Sequence, residues 1–297
     1  MNFYKKIIRS QNARFAILKF LRFIPDKPML RLQYFLKLKR WLKLKHPTRY
    51  TEKLQWYKLY YRNPVMHTCV DKYRVREYIH SKGLDEILNE LYAVGDHADE
   101  INFDALPNEF IIKTTNGSGT NIICRDKANF DIPGTRQQMD AYLVRTEASA
   151  GREWAYSGAT KKIIVEALLK DPTTPDGAVC DYKFLCFGGK PYCVVYDKDR
   201  YTGHKRNFYD LNWKRMDVGS DCPNFDDEVE KPRNFERMLE IASILSEDFP
   251  AVRVDLYNIE GRIVFGELTF YPWSGYVQFT PDSFDLELGR QFNIENT

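Results

Sequence analysis

Two apolar runs joined by a short turn lie near the C-terminus: Val252-Arg253-Val254-Asp255-Leu256-Tyr257, Asn258-Ile259-Glu260-Gly261 and Arg262-Ile263-Val264-Phe265-Gly266-Glu267-Leu268-Thr269-Phe270. Both runs are rich in β-branched and aromatic residues, which is typical of strands. A three-residue loop of Ile259, Glu260 and Gly261, with the glycine in the left-handed region, is a common way to close a hairpin. The sequence therefore predicts a β-hairpin at residues 251–270.

Side chains alternate along a strand, so the loop length fixes which of them share a face. A three-residue loop pairs Asn258 with Arg262, places Asp255 opposite Phe265 and places Arg253 opposite Glu267. One face is then apolar and is expected to join the core: Val252, Val254, Leu256, Val264, Leu268 and Phe270. The other face carries Arg253, Asp255, Glu267 and Thr269.

Asp255 and Glu267 become diagonal neighbours in this register, with Cα atoms about 7–8 Å apart. Two carboxylates at that spacing can hold Mg²⁺, which prefers oxygen ligands and often shares them with phosphates. The alternative is a polar side facing solvent, with an ion pair between Arg253 and Glu267. The hairpin alone does not decide between these interpretations.

Composition places the chain among globular proteins. Its 297 residues are 43% hydrophobic and 14% aromatic, enough for one large domain or two smaller ones. The six cysteines form no C-x-x-C pair and do not cluster with histidines, which argues against a zinc site or a disulfide framework. Reduced cysteines fit a cytoplasmic protein.

Charge is distributed unevenly along the chain. Residues 1–50 contain 14 Lys/Arg and one acid, whereas the other 247 residues contain 30 Lys/Arg and 40 Asp/Glu. This asymmetry predicts a basic interaction segment at the N-terminus. No stretch resembles a transmembrane helix or a signal peptide.

Residues 1–24 and 28–45 are predicted to be helical. In the second segment, Leu30, Tyr34, Phe35, Leu38, Trp41 and Leu42 fall at helical spacing between Lys and Arg residues. A basic amphipathic helix can lie on an anionic membrane surface. The alternative is a helix that packs on the protein body, because long Lys and Arg stems can also cover apolar protein surface.

Strands and helices are interleaved in the rest of the chain, which favours an α+β architecture over a doubly wound parallel sheet. We predict helices near 51–62, 71–82, 134–147 and 232–246, and strands at 110–113, 121–124, 163–165, 181–187 and 191–196. Residues 197–231 are predicted to be a long loop. The expected organisation is a basic helical segment at 1–65, an N-terminal part at 66–165 and a C-terminal part at 166–297.

A glycine-rich loop follows the strand that ends at Lys113: Thr114-Thr115-Asn116-Gly117-Ser118-Gly119-Thr120. Glycines let backbone N–H groups approach phosphate oxygens, and the lysine adds positive charge. The loop is not a P-loop, in which the lysine follows the glycines and a helix begins. An ordinary Asn-Gly hairpin turn explains the same residues equally simply.

Two further segments carry charges at the ends of elements. Asp71 and Lys72 open a predicted helix, for which a capped helix with solvated charges is the simpler interpretation. Glu166 ends a buried strand and Asp181 begins another. Acids at strand ends can contact the amine or ribose of a nucleotide, or can simply face water.

The order of these segments resembles the ATP-grasp superfamily, with D-alanine–D-alanine ligase as a visible parallel. Residues from about 51 to 275 resemble more closely the TupA-like ATP-grasp family, which is found with genes for cell-surface polysaccharides. The matching segments are Glu52-Lys53-Leu54-Gln55-Trp56, Asp71-Lys72-Tyr73, Lys113 with Gly117-Ser118-Gly119, Asp181-Tyr182-Lys183-Phe184 and Glu267-Leu268-Thr269-Phe270.

This resemblance implies an ATP-grasp fold with a nucleotide cleft between two α+β subdomains, preceded by the basic helices. It implies ATP and Mg²⁺ as cofactors. Metal ligands are Asp255, Glu267 and Thr269, with Thr269 where most ATP-grasp enzymes have asparagine. Catalytic residues are Arg253 and Lys205, the latter closing over the γ-phosphate. Nucleotide-binding residues are Lys72, Lys113, Asn116, Gly117, Ser118, Gly119, Glu166, Asp181 and Lys183.

The resemblance further implies a carboxylate–amine ligase that joins an amino acid or other amine donor to a uronic acid or similar sugar carboxylate. A lipid-linked acceptor, or an anionic membrane surface bound through residues 1–45, would explain the basic N-terminus. We expect no nucleic-acid partner and a cytoplasmic location, on the inner face of the membrane if peripheral. One alternative is a metal-dependent glycosyltransferase using Asp197-Lys198-Asp199, and another is a catalytically silent scaffold.

Overall fold

Two antiparallel sheets and the helices packed on them make up the computed structural model, which describes residues 20–117, 119–144, 151–157, 160–174, 177–198 and 203–294. This arrangement confirms the α+β class. The helices are α1 (Asp26–Leu38), α2 (Tyr50–Tyr60), α3 (Val65–Cys69), α4 (Val75–Ser81), α5 (Ile132–Val144), α6 (Phe235–Ser246) and α7 (Ser283–Gln291). Short 3-10 turns occur at Leu21–Phe23, Asp85–Ile87, Ala98–Glu100, Phe103–Ala105, Lys127–Asn129, Trp154–Tyr156 and Pro272–Gly275.

The smaller sheet has four strands in the order β1-β4-β2-β3. Its strands are β1 (Leu91–Gly95), β2 (Phe110–Thr114), β3 (Ile122–Cys124) and β4 (Ile163–Glu166). A separate apolar cluster that includes Ile101, Phe110, Ile112 and Met139 packs under this sheet. Glu166 of β4 lies opposite Ile111 of β2, so Glu166 and Lys113 are diagonal neighbours on one face of this sheet.

The larger sheet has six strands in the order β10-β9-β5-β6-β7-β8. Its strands are β5 (Asp181–Phe187), β6 (Lys190–Lys198), β7 (Lys205–Tyr209), β8 (Arg215–Met216), β9 (Ala251–Ile259) and β10 (Arg262–Thr269). The expectation of a long loop at 197–231 was wrong, because β7 pairs along β6 and buries Phe208. The segment Lys205-Arg206-Asn207-Phe208-Tyr209 begins with three polar residues and shows no period-2 apolar pattern, so nothing in the sequence indicated this strand.

The hairpin forms, but its register differs from the predicted one. Arg262 pairs with Ile259, so the turn has only two residues, Glu260 and Gly261, both with positive φ (52° and 98°). Such a turn matches the twist of the strands. A bulge at Gly266 then adds a second one-residue shift, and Glu267 lies directly opposite Asp255 rather than diagonal to it.

The two shifts explain which faces were predicted correctly. Beyond the bulge, the turn and the bulge together shift the strand pairing by two residues. An even shift leaves each side chain on its predicted face, which holds for Glu267, Leu268, Thr269 and Phe270. Between the turn and the bulge only one shift applies, so Val264 lies on the face opposite to the predicted one, although it is buried as predicted (1% exposed). Val264 lies opposite Tyr257, and Phe265 takes its place opposite Leu256 on the core face.

The core face of the larger sheet packs against α6. Phe184 lies 6.1 Å from Phe235 between ring centroids, and Val254, Leu256 and Leu268 are buried in the same cluster. The opposite face of the same strands carries the charged residues. This division places the candidate site on the side of the sheet away from α6.

The N-terminal helix is shorter than predicted and packs on the body. It ends at Leu38 because Lys39 adopts the left-handed conformation (φ 57°), and residues 40–45 are not helical. Leu30, Tyr34, Leu38 and Leu42 join one buried cluster with Tyr276. Residues 1–19 of the predicted helix 1–24 lie outside the described residues. Within the described part of the chain, no helix is long and apolar enough to cross a membrane.

Candidate active site

Four polar side chains of β9 and β10, here called the hairpin cluster, contact one another: Arg253, Asp255, Glu267 and Thr269. Arg253 donates from Nε and Nη2 to the two carboxylate oxygens of Asp255, at 2.7 and 2.6 Å. Its Nη2 also donates to Glu267 Oε1 at 2.9 Å and to Thr269 Oγ1 at 3.2 Å. The sequence had predicted that these four residues share a face, and the structure brings them together.

The hairpin cluster is buried at one side and open at the other. The Asp255 side chain is 4% exposed, whereas that of Glu267 is 49% exposed. Burial raises the pKa of Asp255 to about 7, against the opposite effect of Arg253 and Lys183. Burial also opposes ionisation of Glu267, but Arg253 and Lys72 outweigh it and lower the pKa of Glu267 to about 2.

The donor set of the hairpin cluster fits Mg²⁺ in chemistry. Asp255, Glu267 and Thr269 offer only oxygen donors, and Mg²⁺ is commonly held by one or two carboxylates together with substrate phosphates. Among the described residues there is no group of three or more His, Cys, Asp or Glu that could hold a metal without such help. Both Asp255 oxygens accept from Arg253, and each keeps a second lone pair that a metal ion could use.

A second group of charges, the inner cluster, lies on the same face between β5, β6 and β7: Asp181, Lys183, Asp197, His204, Arg206 and Asp221. Arg206 donates from Nε to Asp197 Oδ1 at 2.6 Å, and Lys183 Nζ lies 3.0 Å from Asp181 Oδ1 and 3.1 Å from Asp197 Oδ2. Lys183 Nζ is also 4.0 Å from Asp255 Oδ2. Lys183 therefore joins the inner cluster to the hairpin cluster.

Asp197 is buried within the inner cluster. Its side chain is 2% exposed, and both carboxylate oxygens are occupied by Arg206. Burial opposes its ionisation, but Arg206 and Lys183 outweigh it and hold the pKa of Asp197 well below its usual range. Asp197 is therefore held by three basic side chains, Arg206, Lys183 and His204. Asp199 lies outside the described residues.

The smaller sheet contributes a third group of charges at the ends of its strands. Lys113 Nζ lies 2.7 Å from Glu166 Oε2, and Arg76 of α4 lies 3.8 Å from Glu166 Oε1. Glu166 is buried. Arg76 is a neighbour that the sequence analysis did not single out, because its position on a capped helix looked like a solvated face.

Lys72 lies between the two sheets. Its Nζ donates to Gly117 O at 2.9 Å, and its backbone N–H donates to Thr115 O at 2.9 Å. Burial lowers the pKa of Lys72, while the negative charge of Glu267 raises it and the positive charge of Lys113 lowers it further. The two predicted phosphate-binding lysines and the hairpin cluster therefore share one electrostatic environment.

The glycine loop is held at both ends. Thr114 Oγ1 donates to Thr120 Oγ1 at 2.9 Å, and Thr115 N donates to Lys162 O at 2.9 Å. Gly117 and Gly119 adopt positive φ (108° and 69°), a conformation that favours glycine. Asn116 is buried, and Ser118 lies outside the described residues.

Lys205 is not brought to the other predicted site residues. It begins β7 opposite Lys198, one position before Arg206. Because side chains alternate, Arg206 points to the charged face and Lys205 lies on the opposite one. This placement argues against the predicted contact of Lys205 with a γ-phosphate.

A strained turn beside the hairpin cluster was missed by the sequence analysis. In the turn Pro272–Gly275, Trp273 and Ser274 both have positive φ (52° and 54°). Lys58 of α2, which is 1% exposed, donates from Nζ to Ser274 O at 2.9 Å and to Gly151 O at 3.0 Å. Nothing in the sequence distinguished Lys58 from a surface lysine of an amphipathic helix.

A family model described as TupA-like ATPgrasp matches residues 52–293. No curated protein matches the chain. Among solved structures, D-alanine–D-alanine ligases from Bacillus anthracis and Helicobacter pylori are 17% and 16% identical, with TM-scores of 0.38 and 0.42. The ATP-grasp ligase PsnB, complexed with a precursor variant, Mg and ADP, is 12% identical with a TM-score of 0.41.

The matches to these three structures cover 68%, 76% and 82% of this chain. They cover 57%, 61% and 66% of the solved chains. This chain therefore spans less than two thirds of the length of each of these structures.

Proposed function

The chain belongs to the TupA-like ATP-grasp family, and from that premise we propose that it is an ATP-dependent ligase that joins a carboxylate to an amine through an acyl phosphate. Membership confirms the predicted family and the predicted α+β ATP-grasp fold, and it supports the prediction of an ATP-grasp enzyme. The observation that carries the proposal is the position of Lys72. It contacts the glycine loop and shares its electrostatic environment with Lys113 and Glu267.

The proposed reaction has two steps. A carboxylate oxygen of the first substrate attacks the γ-phosphorus of ATP, the bond to the β–γ bridging oxygen breaks, and ADP leaves. The amine nitrogen of the second substrate then attacks the acyl carbon, inorganic phosphate leaves, and the amine loses a proton. Phosphoryl transfer of this kind depends on alignment and charge neutralisation more than on a covalent residue.

The described residues support roles of that kind. We assign Lys72, Lys113 and the loop from Asn116 to Thr120 to the phosphates of ATP. Asp255, Glu267 and Thr269 would hold Mg²⁺, which would neutralise phosphate charge. Arg253 already bridges the two carboxylates and would help to orient them.

The adenosine end of ATP is assigned to the other strand-end acids. We place Glu166 by the adenine and Asp181 by the ribose, with Lys183 beside them. In the structure, Glu166 accepts from Lys113 and Asp181 lies beside Lys183, so both acids have basic neighbours that would be rearranged or shared on binding.

We propose the classes of the two substrates from the family resemblance. The resemblance to a family found with polysaccharide genes favours an amino acid as amine donor and a uronic acid, free or lipid-linked, as carboxylate. ATP is a cytoplasmic co-substrate, so we place the reaction in the cytoplasm. Nucleic acid is not among the partners that we propose.

The test is ATP-to-ADP turnover by the full chain that requires both a carboxylate and an amine. Thermal shift provides the binding assay: ATP–Mg²⁺ at about 100 times its dissociation constant should add roughly 2.7 kcal/mol to the free energy of unfolding. In the variants Asp255→Asn and Glu267→Gln, adding Mg²⁺ should no longer increase the thermal shift that ATP produces. A shift with UDP-glucose but none with ATP–Mg²⁺ would overturn the proposal in favour of a glycosyltransferase.

A further inference from the structure

Helix α1 has two apolar stripes, and only one of them is used by the fold. The inner stripe contains Met29, Leu30, Tyr34 and Leu38, which are all buried. It packs toward Tyr276, whose Oη donates to Gln33 Oε1 at 2.6 Å. The inner stripe therefore explains why α1 lies on the body, and it is not available to any partner.

The outer stripe points away from the body. Leu32 and Leu36, one helical turn apart, are 47% and 38% exposed, and Trp41 beyond the helix is 75% exposed. Trp41 stacks on Phe35, with ring centroids 4.6 Å apart. Phe23, just before the helix, is 75% exposed.

These residues form a concentration of exposed apolar surface. Nine large hydrophobic residues are exposed in the described part of the chain, and five of them lie between residues 20 and 41: Phe20, Phe23, Leu32, Leu36 and Trp41. Single exposed apolar residues need no explanation, but a cluster of them marks an interaction surface.

Basic side chains surround the outer stripe. Lys27, Arg31, Lys43 and Lys45 are exposed. The one acid in residues 20–50 is Asp26, and it accepts from Arg152 at 2.6 Å. The nineteen residues before this region add five Lys/Arg and no acid to the sequence.

We propose that this outer face, formed by Phe23, Lys27, Arg31, Leu32, Leu36, Trp41 and Lys43, docks on the surface of an anionic lipid bilayer. Aromatic and aliphatic side chains would enter the interfacial region, while the Lys and Arg side chains contact lipid phosphates. The helix lies flat on the surface, since its inner stripe stays bound to the protein body.

Charge complementarity selects the bilayer over a second copy of the chain. A symmetric dimer would place the same patch against itself, and this patch carries charges of one sign. A soluble anion would satisfy the basic residues but would leave Leu32, Leu36 and Trp41 in water. Only a surface that is both anionic and apolar accounts for the two features together.

Co-sedimentation of the full chain with vesicles tests the proposal. We expect binding to vesicles of phosphatidylcholine with phosphatidylglycerol, and little binding to phosphatidylcholine alone. The variant Lys27→Gln/Arg31→Gln/Lys43→Gln should bind roughly 100-fold more weakly, since each basic residue near an anionic surface contributes about fivefold. Raising the salt concentration should weaken binding of the wild-type chain.

The apolar contribution is tested with a second variant and a matched control. Leu32→Ser/Leu36→Ser/Trp41→Ser should reduce vesicle binding by at least about tenfold, because the lost side chains provide the interfacial contact. Val65→Ser/Ile123→Ser/Val144→Ser changes three exposed apolar residues elsewhere and should bind as the wild type does. Circular dichroism and ATP–Mg²⁺ thermal shift confirm that all variants are folded.

Three results would overturn the proposal. One is equal vesicle binding by the apolar variant and the wild type. Another is release of the protein by inorganic phosphate at constant ionic strength, which would indicate a simple anion site. The third is a dimer in sedimentation equilibrium that the Leu32/Leu36/Trp41 variant abolishes. ATP turnover without vesicles should be unaffected in every variant, so the outcome is separate from that of the proposed reaction.

Discussion

The hairpin cluster and the inner cluster lie on the same face of one sheet, yet they differ in how firmly their charges are fixed. In the hairpin cluster, Glu267 is half exposed and the carboxylates share a single arginine. In the inner cluster, the side chains of Asp197 and Arg206 are 2% and 7% exposed. Arg206 also contacts Asp221, and Lys183 contacts Asp181 and Asp197.

This difference separates Glu267, whose open carboxylate can exchange partners, from Asp197, whose buried carboxylate cannot. Breaking a buried and fully paired charge is costly, whereas an open carboxylate can trade its partner for a cation at little cost. The hairpin cluster is therefore suited to binding, and the inner cluster to holding β5, β6 and β7 in place beside it. Removing the charge of Glu267 should accordingly impair activity, whereas removing the charge of Arg206 should impair stability.

The largest effect is expected for Glu267→Gln. ATP-dependent turnover should fall roughly 100- to 1,000-fold, or about 3–4 kcal/mol, because one of the two carboxylates proposed to hold Mg²⁺ is lost. The free energy of unfolding should hardly change, since the side chain is half exposed. Glu260→Gln, in the exposed turn of the same hairpin, is the control and should leave turnover unchanged. Equal activity of both variants would contradict a metal role for Glu267.

Arg206→Gln should show the reverse pattern. Removing the guanidinium leaves Asp197 buried with fewer partners, which should lower the free energy of unfolding by about 3 kcal/mol in urea denaturation. Lys198→Gln changes an adjacent pair whose acid, Asp227, is exposed, so the loss should be below about 1 kcal/mol. Similar losses of unfolding free energy in the two variants would contradict the stabilising role assigned to the inner cluster.

The pH dependence of stability follows from the low pKa of Asp197. Its folded-state pKa lies below the unfolded value, so the unfolded chain binds more protons in acid and stability falls as pH decreases. The stabilisation is complete above the ordinary pKa and should decline by about 1 kcal/mol between roughly pH 5 and pH 3. In the variant Asp197→Asn, the free energy of unfolding should fall by about 1 kcal/mol less between roughly pH 5 and pH 3. Urea denaturation at several pH values in that range measures the difference.

The smallest effect concerns the bulge that aligns the hairpin cluster. A Cβ at Gly266 would lie 3.0 Å from Asp255 O, so Gly266→Ala requires a shift of the strand beside Asp255. We expect a loss of about 1 kcal/mol in stability and a several-fold weaker ATP–Mg²⁺ affinity by thermal shift. Gly203→Ala, where a Cβ meets nothing within 4 Å, should be neutral in both measurements.

The sequence predicted the polar face of the hairpin but not its pairing. Alternation identified Arg253, Asp255, Glu267 and Thr269 as one set, because period 2 is a local property of any strand. The register depended on a choice between two- and three-residue turns and on a bulge at Gly266. Neither is encoded strongly by local preference, so Val264 was assigned to the wrong face.

The N-terminal segment shows the same limit. Helical spacing found one apolar stripe and left open whether it meets a membrane or the body. The structure shows that the stripe divides: Leu30, Tyr34 and Leu38 pack on the body, while Leu32, Leu36 and Trp41 are exposed. Helical spacing shows where the apolar residues of a helix lie but not which of them another element covers. Periodicity alone therefore could not separate the two stripes.

The sequence by itself determined the family, the α+β class and the set of polar residues on the hairpin, since motif order, composition and alternation are all local in the chain. Only the tertiary structure decided that Glu267 faces Asp255, that Asp197 is sealed by Arg206, and that Lys72 shares its surroundings with both Lys113 and Glu267. These contacts join residues from different strands and both sheets. Their strength depends on burial and charge at positions that the order of residues does not specify.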